Sequence, residues 1–530
     1  TSTATDTPTA TPTMTPYPTG TWIPAAIIDV SPDQGSHAAA PDSVLSVTAD
    51  DAFVGSTVNA NTVRIHSGYN KSIPGTFSVG SDTFTLDPDP VFFPGEEIET
   101  TITSFVQAGG VPVTPFIWKF RCRVDEGYGS FVECGQSLPG HWTAGTAVGD
   151  VDGDNDLDVI IVGGDNRLFL NDGTGNFTDS GQELTNPDVG KVELGDLDND
   201  GDLDCFVAKW SNPCVVLFND GSGVFTDSGQ SLGVNTNGNV DLGDIDGDGD
   251  LDAYVARGSY DPSQMWINDG NGYFTSDGLP YTSYNHQGIF GDLDNDGDLD
   301  LFIAHSNRIR VMLNDGLGTF TETGQVFPQL CATGADLGDV DGDGDLDAVN
   351  STWNNGPAKI WLNDGTGWFT DSGQSLGSIF GTAVRFVDLE GDADLDVFIC
   401  YDGQPCAVWL NDGSGTYTHT GQMIGADETK EYCAAGDLDS DGDMDMVVSI
   451  TQRAAITPFG STSMFRRHRH RRSLPHGHPQ TPPHQPRLTR PRRHPQTPRL
   501  TRPPIPRQIH RPAPRRIHRH PPRHPQTHRH

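Results

Sequence analysis

The chain has 530 residues and a net charge of −39, from 72 Asp plus Glu against 33 Lys plus Arg. The charge is unevenly divided: residues 451–530 hold 19 Arg and no acid, so the first 450 residues carry −58. A body this acidic excludes nucleic acid as its partner, because phosphate contacts need clustered cations, and no apolar run approaches the roughly 18 residues of a membrane helix. Residues 1–22 are rich in Thr and Pro, the composition of an extended, disordered linker. Neither an initiating Met nor a signal peptide is present. The chain therefore reads as a monomeric module of a larger protein whose targeting signal lies upstream.

Residues 23–124 alternate as strands do, for example at Ser43–Ala49 and Asn61–Gly68. Their length and turn spacing predict a small β-sandwich. The run Val30-Ser-Pro-Asp-Gln-Gly35, the run from Thr83 to Pro88 and the Phe93-Pro-Gly-Glu-Glu-Ile98 turn resemble the bacterial immunoglobulin-like domains of cell-surface proteins. The resemblance implies a spacer or attachment module.

Residues 125–450 are dominated by one unit repeated every 46 to 49 residues. Its hallmark is a nine-residue loop, D-x-D-x-D-G-D-L-D, which occurs seven times. The acids are Asp150, Asp152, Asp154, Asp156 and Asp158 in the first loop, and Asp196, Asp198, Asp200, Asp202 and Asp204 in the second. The third has Asp244, Asp246, Asp248, Asp250 and Asp252, and the fourth Asp292, Asp294, Asp296, Asp298 and Asp300. The fifth has Asp339, Asp341, Asp343, Asp345 and Asp347; the sixth Asp388, Glu390, Asp392, Asp394 and Asp396; the seventh Asp437, Asp439, Asp441, Asp443 and Asp445. After each loop comes a short apolar run. Then follow a run ending in Asn-Asp-Gly, a G-x-F-T-D-S-G-Q-S-L segment and a strand into the next loop. Four β-rich runs per period fit one four-stranded propeller blade. Gly129–Leu138 matches the fourth-strand segment without three strands before it, so it is expected to be the outer strand of the last blade, closing the ring. The fold class is therefore all-β: a seven-bladed β-propeller behind a small sandwich, with disordered termini.

Acids at positions 1, 3 and 5 alternate along a tight turn, so their carboxylates converge. Position 7 offers a backbone carbonyl and position 9 a further carboxylate, giving six or seven oxygens for Ca²⁺. Up to seven structural Ca²⁺ ions follow, and Mg²⁺ is disfavoured because it keeps its waters. Position 6 requires φ > 0; it is Gly in five loops, Asn155 in the first and Ala393 in the sixth. With Glu390 and Ala393, the sixth loop is expected to be the weakest site. The residue at position 8, Leu or Met444, should anchor each loop in its blade. These residues resemble the FG-GAP/VCBS repeat proteins, which include the integrin α-subunit propeller. The resemblance covers residues 129–450. It implies that the acidic loop joins the first two strands of a blade and binds Ca²⁺, and that the protein is extracellular or cell-surface; related propellers include lectins.

The last blade breaks the pattern after Asp445–Ile450, where the expected third strand is replaced by an unrelated run. A shift of reading frame near Ile450 lets the codons of Ala455–Ser463 read N-N-A-V-W-L-N-Q, the missing strand. The basic tail 451–530 is accordingly read as a frameshifted linker, the alternative being a genuine basic tail.

Eight Cys are present and no Cys-x-x-Cys. If Cys400 and Cys406 face each other across their hairpin, the same register in the second blade sets Cys214 opposite Ala208, not Cys205. Cys122 and Cys134 bracket the domain junction and are candidates for a bridge. No catalytic motif occurs in its required context. His141 and His286 precede acidic loops and are candidates to face the central channel. Trp142, Trp210, Trp353 and Trp368 are candidates for sugar stacking, or else core. The expected function is a non-catalytic adhesion or binding module for a glycan or surface protein. The alternatives are a carbohydrate-active enzyme (polysaccharide lyase or hydrolase), separable by a cleavage assay, and a purely structural spacer, separable by a glycan array.

Overall fold

A computed structural model describes residues 24–467, except 71–72, 126, 128, 141–142, 186–188, 234–237, 259–261, 278–283, 328–331, 354–355, 378–379, 426–428 and 452–459. Both termini, with the linker and most of the basic tail, lie outside the described residues.

The N-terminal part is a sandwich of two sheets. One orders its strands as Ile27–Ser31, Leu45–Ala49, Thr83–Pro88 and Gly75–Val79; the other as Val63–Ser67, Glu97–Ile102 and Phe116–Arg121. Alternation decides the faces. Val47, Phe84, Leu86, Ile98, Ile102 and Trp118 turn inward to a shared core, while Glu97, Glu99 and Lys119 turn outward from the three-stranded sheet. The strand order is first-second-fifth-fourth in one sheet and third-sixth-ninth in the other, the short ladder of Gln107–Ala108 with Val111–Pro112 lying between the last two in the chain.

Seven four-stranded antiparallel sheets follow, the first six each a meander in chain order. Blade one begins at Thr143–Gly149 and blade seven at Thr429–Gly436. The inner strands touch in sequence around an axis, and the strand of blade seven touches that of blade one, so the ring is closed. The apolar alternation builds a core between each pair of blades. Ile160, Val162 and Leu168 of blade one, for instance, pack with Val192, Cys205 and Leu217 of blade two.

Blade seven draws on both parts of the chain. Its order is Thr429–Gly436, Asp445–Thr451, Gly460–Arg467 and Phe131–Gly140. The segment before the first repeat thus forms the outer strand. The third-strand position, expected to be vacant, is taken by Gly460–Arg467, which pairs Met446 with Phe465 and Val132 with Arg466. The blade extends beyond residue 450, because any extended chain can fill a ladder of backbone hydrogen bonds. Of the run Ala455–Ser463 that reads as shifted in frame, residues 455–459 lie outside the described residues.

The Gln of the S-G-Q-S-L segment links neighbouring blades, acting as a peptide group toward the next blade's aromatic residue. Gln136 donates from Nε2 to the Phe177 carbonyl at 2.8 Å and accepts from its N–H at 3.2 Å. Gln422 does the same to Phe131, closing the ring from blade six to blade seven. Gln325 repeats both bonds with Phe369, whereas Gln182, Gln230 and Gln374 accept from the N–H of Phe225, Phe274 and Tyr417 but donate to the carbonyls of Gly223, Gly272 and Gly415. Blade three has Leu279 at this position, outside the described residues.

Candidate metal centres

Each acidic loop leaves the end of an inner strand and enters the second strand at its ninth residue. Two backbone positions, not one, are left-handed in every loop. Position 6 has φ from 68° to 100°, including Asn155 and Ala393. Position 4 has φ from 54° to 77°, taken by Gly153, Asn199, Gly247, Asn295, Gly342, Gly391 and Ser440. The first carboxylate sets this geometry: Asp150 accepts from the N–H groups of Gly153, Asp154 and Asn155 at 2.6, 3.1 and 3.1 Å. The ninth carboxylate pins the loop base. Asp158 accepts from Val151 N–H at 3.2 Å and Asn171 N–H at 2.9 Å, and Asp204, Asp252, Asp300, Asp347 and Asp396 repeat both bonds. Leu157, Leu203, Leu251, Leu299, Leu346, Leu395 and Met444 are all buried beneath their loops.

Three carboxylates converge in these loops. Asp150, Asp152 and Asp158 offer oxygens within 4.8 Å of one another, as do Asp196, Asp198 and Asp204; Asp292, Asp294 and Asp300; and Asp339, Asp341 and Asp347. In the third loop the trio is Asp244, Asp246 and Asp248. Position 9 thus joins positions 1 and 3 more often than position 5 does, whose carboxylate accepts the position-7 N–H, as in Asp154 from Asp156 at 3.1 Å. Position-7 side chains turn elsewhere. Asp156 and Asp202 lie over the glycine of the Asn-Asp-Gly turn, where a Cβ on Gly173 or Gly221 would meet them at 2.6 or 2.4 Å.

The trios fit a hard cation. Asp196 Oδ1, Asp246 Oδ1, Asp294 Oδ1 and Asp341 Oδ1 are buried and receive no hydrogen bond, a costly state unless a cation meets them. Burial pushes the carboxyls of Asp158, Asp204, Asp300, Asp347 and Asp396 up to about 8, against the pull of their two amide hydrogen bonds and with help from neighbouring acids. Burial also raises Asp196 and Asp292 to about 7. A divalent ion would replace the protons that such crowded acids otherwise take up.

The Asn of Asn-Asp-Gly ties each loop to that of the preceding blade. Asn219 Nδ2 donates to the carbonyls of Leu203, in its own blade's loop, at 3.1 Å and of Val151, in blade one's loop, at 2.8 Å. Asn171 reaches Leu157 and, across the ring closure, Leu438. Asn268, Asn314, Asn363 and Asn411 continue the series. Toward the sixth loop this role passes to the segment before the propeller, where Gly127 and Gly129 N–H donate to Glu390 and Leu389 carbonyls at 2.9 and 3.2 Å.

The loops also form a platform for the sandwich. The Tyr69 carbonyl accepts from Asp150 N–H at 2.8 Å, and Ile117 N–H donates to Gly297 O at 2.7 Å. His66 Nε2 lies 3.1 Å from Gly249 O, and His37 Nε2 2.6 Å from Asp339 O. Asp125 N–H, just after the sandwich, donates to Gly442 O at 2.8 Å. With Gly127, these contacts reach six of the seven loops. Behind them the axis holds a cavity of about 290 Å³. Ion pairs line it: Lys119 with Glu99 at 3.2 Å, Arg121 with Glu97 at 2.6 Å and Arg385 with Asp336 at 3.9 Å. The sandwich therefore covers the loop end of the channel.

The other sequence candidates are scattered. His141 and Trp142 lie outside the described residues. His286 does not line the channel, whose wall is formed there by Gln287 and Ile289; alternation turns His286 away, and its Nε2 lies 2.8 Å from Ser306 Oγ. Trp353 is 46% exposed and packs at a 57° tilt against Phe380, centroids 5.8 Å apart, at the face opposite the loops. Trp210 is at the same face, whereas Trp368 sits on the loop-side rim. Cys122 and Cys134 do not bridge, because they belong to separate packing clusters.

Residues 150–448, more than half of the chain, match the FG-GAP-like repeat in six overlapping windows: 150–207, 196–255, 244–303, 292–350, 339–399 and 388–448. No curated protein matches. Among solved structures, the chain is similar to an Agrocybe aegerita lectin studied for specific recognition of non-reducing terminal N-acetylglucosamine. That likeness has 19% identity and a TM-score of 0.36 over 69% of this chain and 92% of the lectin. A functionally unknown protein from Desulfotomaculum acetoxidans DSM 771 is similar at 14% identity and TM-score 0.38, over 54% of this chain and 89% of that one. The loop spacing and the matched windows describe one repeat, and the chain belongs to the FG-GAP-like repeat family.

Proposed function

We propose that the chain is an extracellular, non-catalytic binding module whose seven loops hold structural Ca²⁺ and whose ligand face is the one opposite those loops. The observation that carries this reading is the coverage of the loop face by the sandwich, which leaves the opposite face for a partner. The immunoglobulin-like sandwich then serves as the spacer that presents the propeller. On the opposite face the exposed Trp353 beside Phe380 offers the flat apolar surface, with a polar indole edge, that suits a sugar ring or a protein hot spot. A glycan array read at fixed Ca²⁺ tests it: binding that disappears in Trp353→Ala supports a lectin-like site there. Binding unchanged by that substitution removes Trp353 from the site.

The enzymatic reading has one observation in its favour, the 2.8 Å contact between His286 and Ser306 on the same face. Cleavage of a polysaccharide that is lost in His286→Ala would make it the better account.

A further inference from the structure

Three thiols meet where blade six joins blade seven. Cys400 lies on the second strand of blade six, Asp396–Tyr401, and Cys406 on the third, Gln404–Leu410. The ladder pairs Ile399 with Ala407 and Tyr401 with Gln404, so Cys400 and Cys406 lie side by side at a one-residue register shift next to the turn. The hairpin turn between them is tight, with Gly403 at φ 70°. Their sulfurs are 3.1 Å apart and both side chains are fully buried. That gap is about 1 Å longer than a disulfide bond. Cys433, on the inner strand of blade seven, packs in the same core. It is within hydrogen-bonding reach of Cys400, so its sulfur lies beside the one it would attack.

The matching hairpin of blade two is an internal contrast. It also holds two cysteines, but the pairing of Val207 with Val215 sets Cys214 across from Ala208. Cys205 packs between blades one and two, and Cys214 between blades two and three. The two sulfurs are on opposite faces of the sheet and cannot bridge. Only in blade six does the register bring the pair together.

We propose that Cys400 and Cys406 form a cross-strand disulfide and that Cys433 is the thiol that exchanges with it. In the first step the two thiols lose two protons and two electrons to a small disulfide oxidant such as oxidised glutathione, which leaves as two thiols. In the second, the Cys433 thiolate attacks Cys400 Sγ, the Cys400–Cys406 bond breaks and Cys406 leaves as the thiolate. The bridge thus moves from within blade six to between blades six and seven. The second form fastens a blade whose third strand departs from the repeat.

Peptide mapping distinguishes these states. The full chain, produced in an oxidising compartment or folded with oxidised glutathione, is quenched in acid, alkylated with N-ethylmaleimide under denaturing conditions and cut with trypsin. Cys400 and Cys406 fall in peptide 386–430 and Cys433 in 431–453. The wild type should yield peptide 386–430 two hydrogens lighter and unalkylated, with Cys433 alkylated. Cys406→Ala should yield the two peptides joined through Cys400 and Cys433. Cys205 and Cys214, in peptides 192–209 and 210–257, should both be alkylated. Alkylation of Cys400 and Cys406 in the wild type overturns the bridge, without recourse to any variant. A fully alkylated Cys406→Ala chain overturns the exchange, and a Cys205–Cys214 link overturns the argument from register.

Discussion

Asn219→Ala tests the idea that the propeller is held at its loops by side-chain amides that serve two blades at once. Asn219 is 5% exposed, and its Nδ2 donates to carbonyls of Val151 and Leu203, both fully buried. Alanine removes both donors and offers water no ready route to the carbonyls. A buried acceptor without its donor costs about 1–3 kcal/mol, so the pair should cost about 2–6 kcal/mol. That is a large part of a typical stability of about 5–15 kcal/mol. The comparison is Asn176→Ala, an exposed turn residue whose amide bonds only within its own turn, where a change within about 0.5 kcal/mol is expected. Urea unfolding at saturating Ca²⁺ gives both values from the midpoints, with the slope checked for constancy. Two carbonyls in adjacent loops lose their tether, so Ca²⁺ affinity at the loops of Asp150 and Asp196 should fall as well. If Asn219→Ala loses no more stability than Asn176→Ala, the amides are not what joins the loops.

Three further outcomes follow. Ala393 is held at φ 70° in the sixth loop, a conformation that costs a residue with a Cβ about 1–2 kcal/mol; Ala393→Gly should recover about 1 kcal/mol in the same assay, and destabilisation would contradict the strain. Glu96 is fully buried, bonded to Ser67 Oγ and Phe93 N–H, and burial raises its carboxyl to about 7. The folded state holds that proton more tightly than the unfolded state, so its contribution is present below about pH 4.5 and lost as the pH rises through 7; at about 1.36 kcal/mol per pH unit the change is about 3 kcal/mol. The stability difference between wild type and Glu96→Gln should follow that decline, and a difference independent of pH would refute it. Because the sandwich grips loop backbone, chelation should expose the junction at residues 122–130 to protease sooner than the strands of either domain. Equal rates with and without Ca²⁺ would separate the docking from the cation.

The periodic part of this architecture was legible because each signal was local. The acid spacing marked the loops, and Leu at position 8 marked their buried side. The closing strand at Phe131–Gly140 was legible for the same reason, being a copy of a segment seen elsewhere in the repeat. What escaped were signals whose partners lie in another blade. The Gln of S-G-Q-S-L recurs plainly, but its partner is some 41–44 residues on, and only blade adjacency gives that interval meaning. The second left-handed position was written in Gly, Asn and Ser at position 4, yet reading it needed the carboxylate of position 1 folded back onto the following N–H groups. The docking of the sandwich depends on the fit of Pro115 and Phe116 against Gly247 and Gly297, a match of shapes that no periodicity encodes. His286 was misplaced because one step along a strand reverses the face it serves.

The most direct measurement is the thermal unfolding of the full chain in chelator and at increasing Ca²⁺. A cation that binds the folded loops alone adds about 2.7 kcal/mol per site at a hundredfold excess over Kd, and several loops acting together should raise the midpoint by well over ten degrees. A midpoint that climbs steadily with Ca²⁺ into the millimolar range, and less with Mg²⁺, is the predicted result; a midpoint unmoved by millimolar Ca²⁺ would contradict the account.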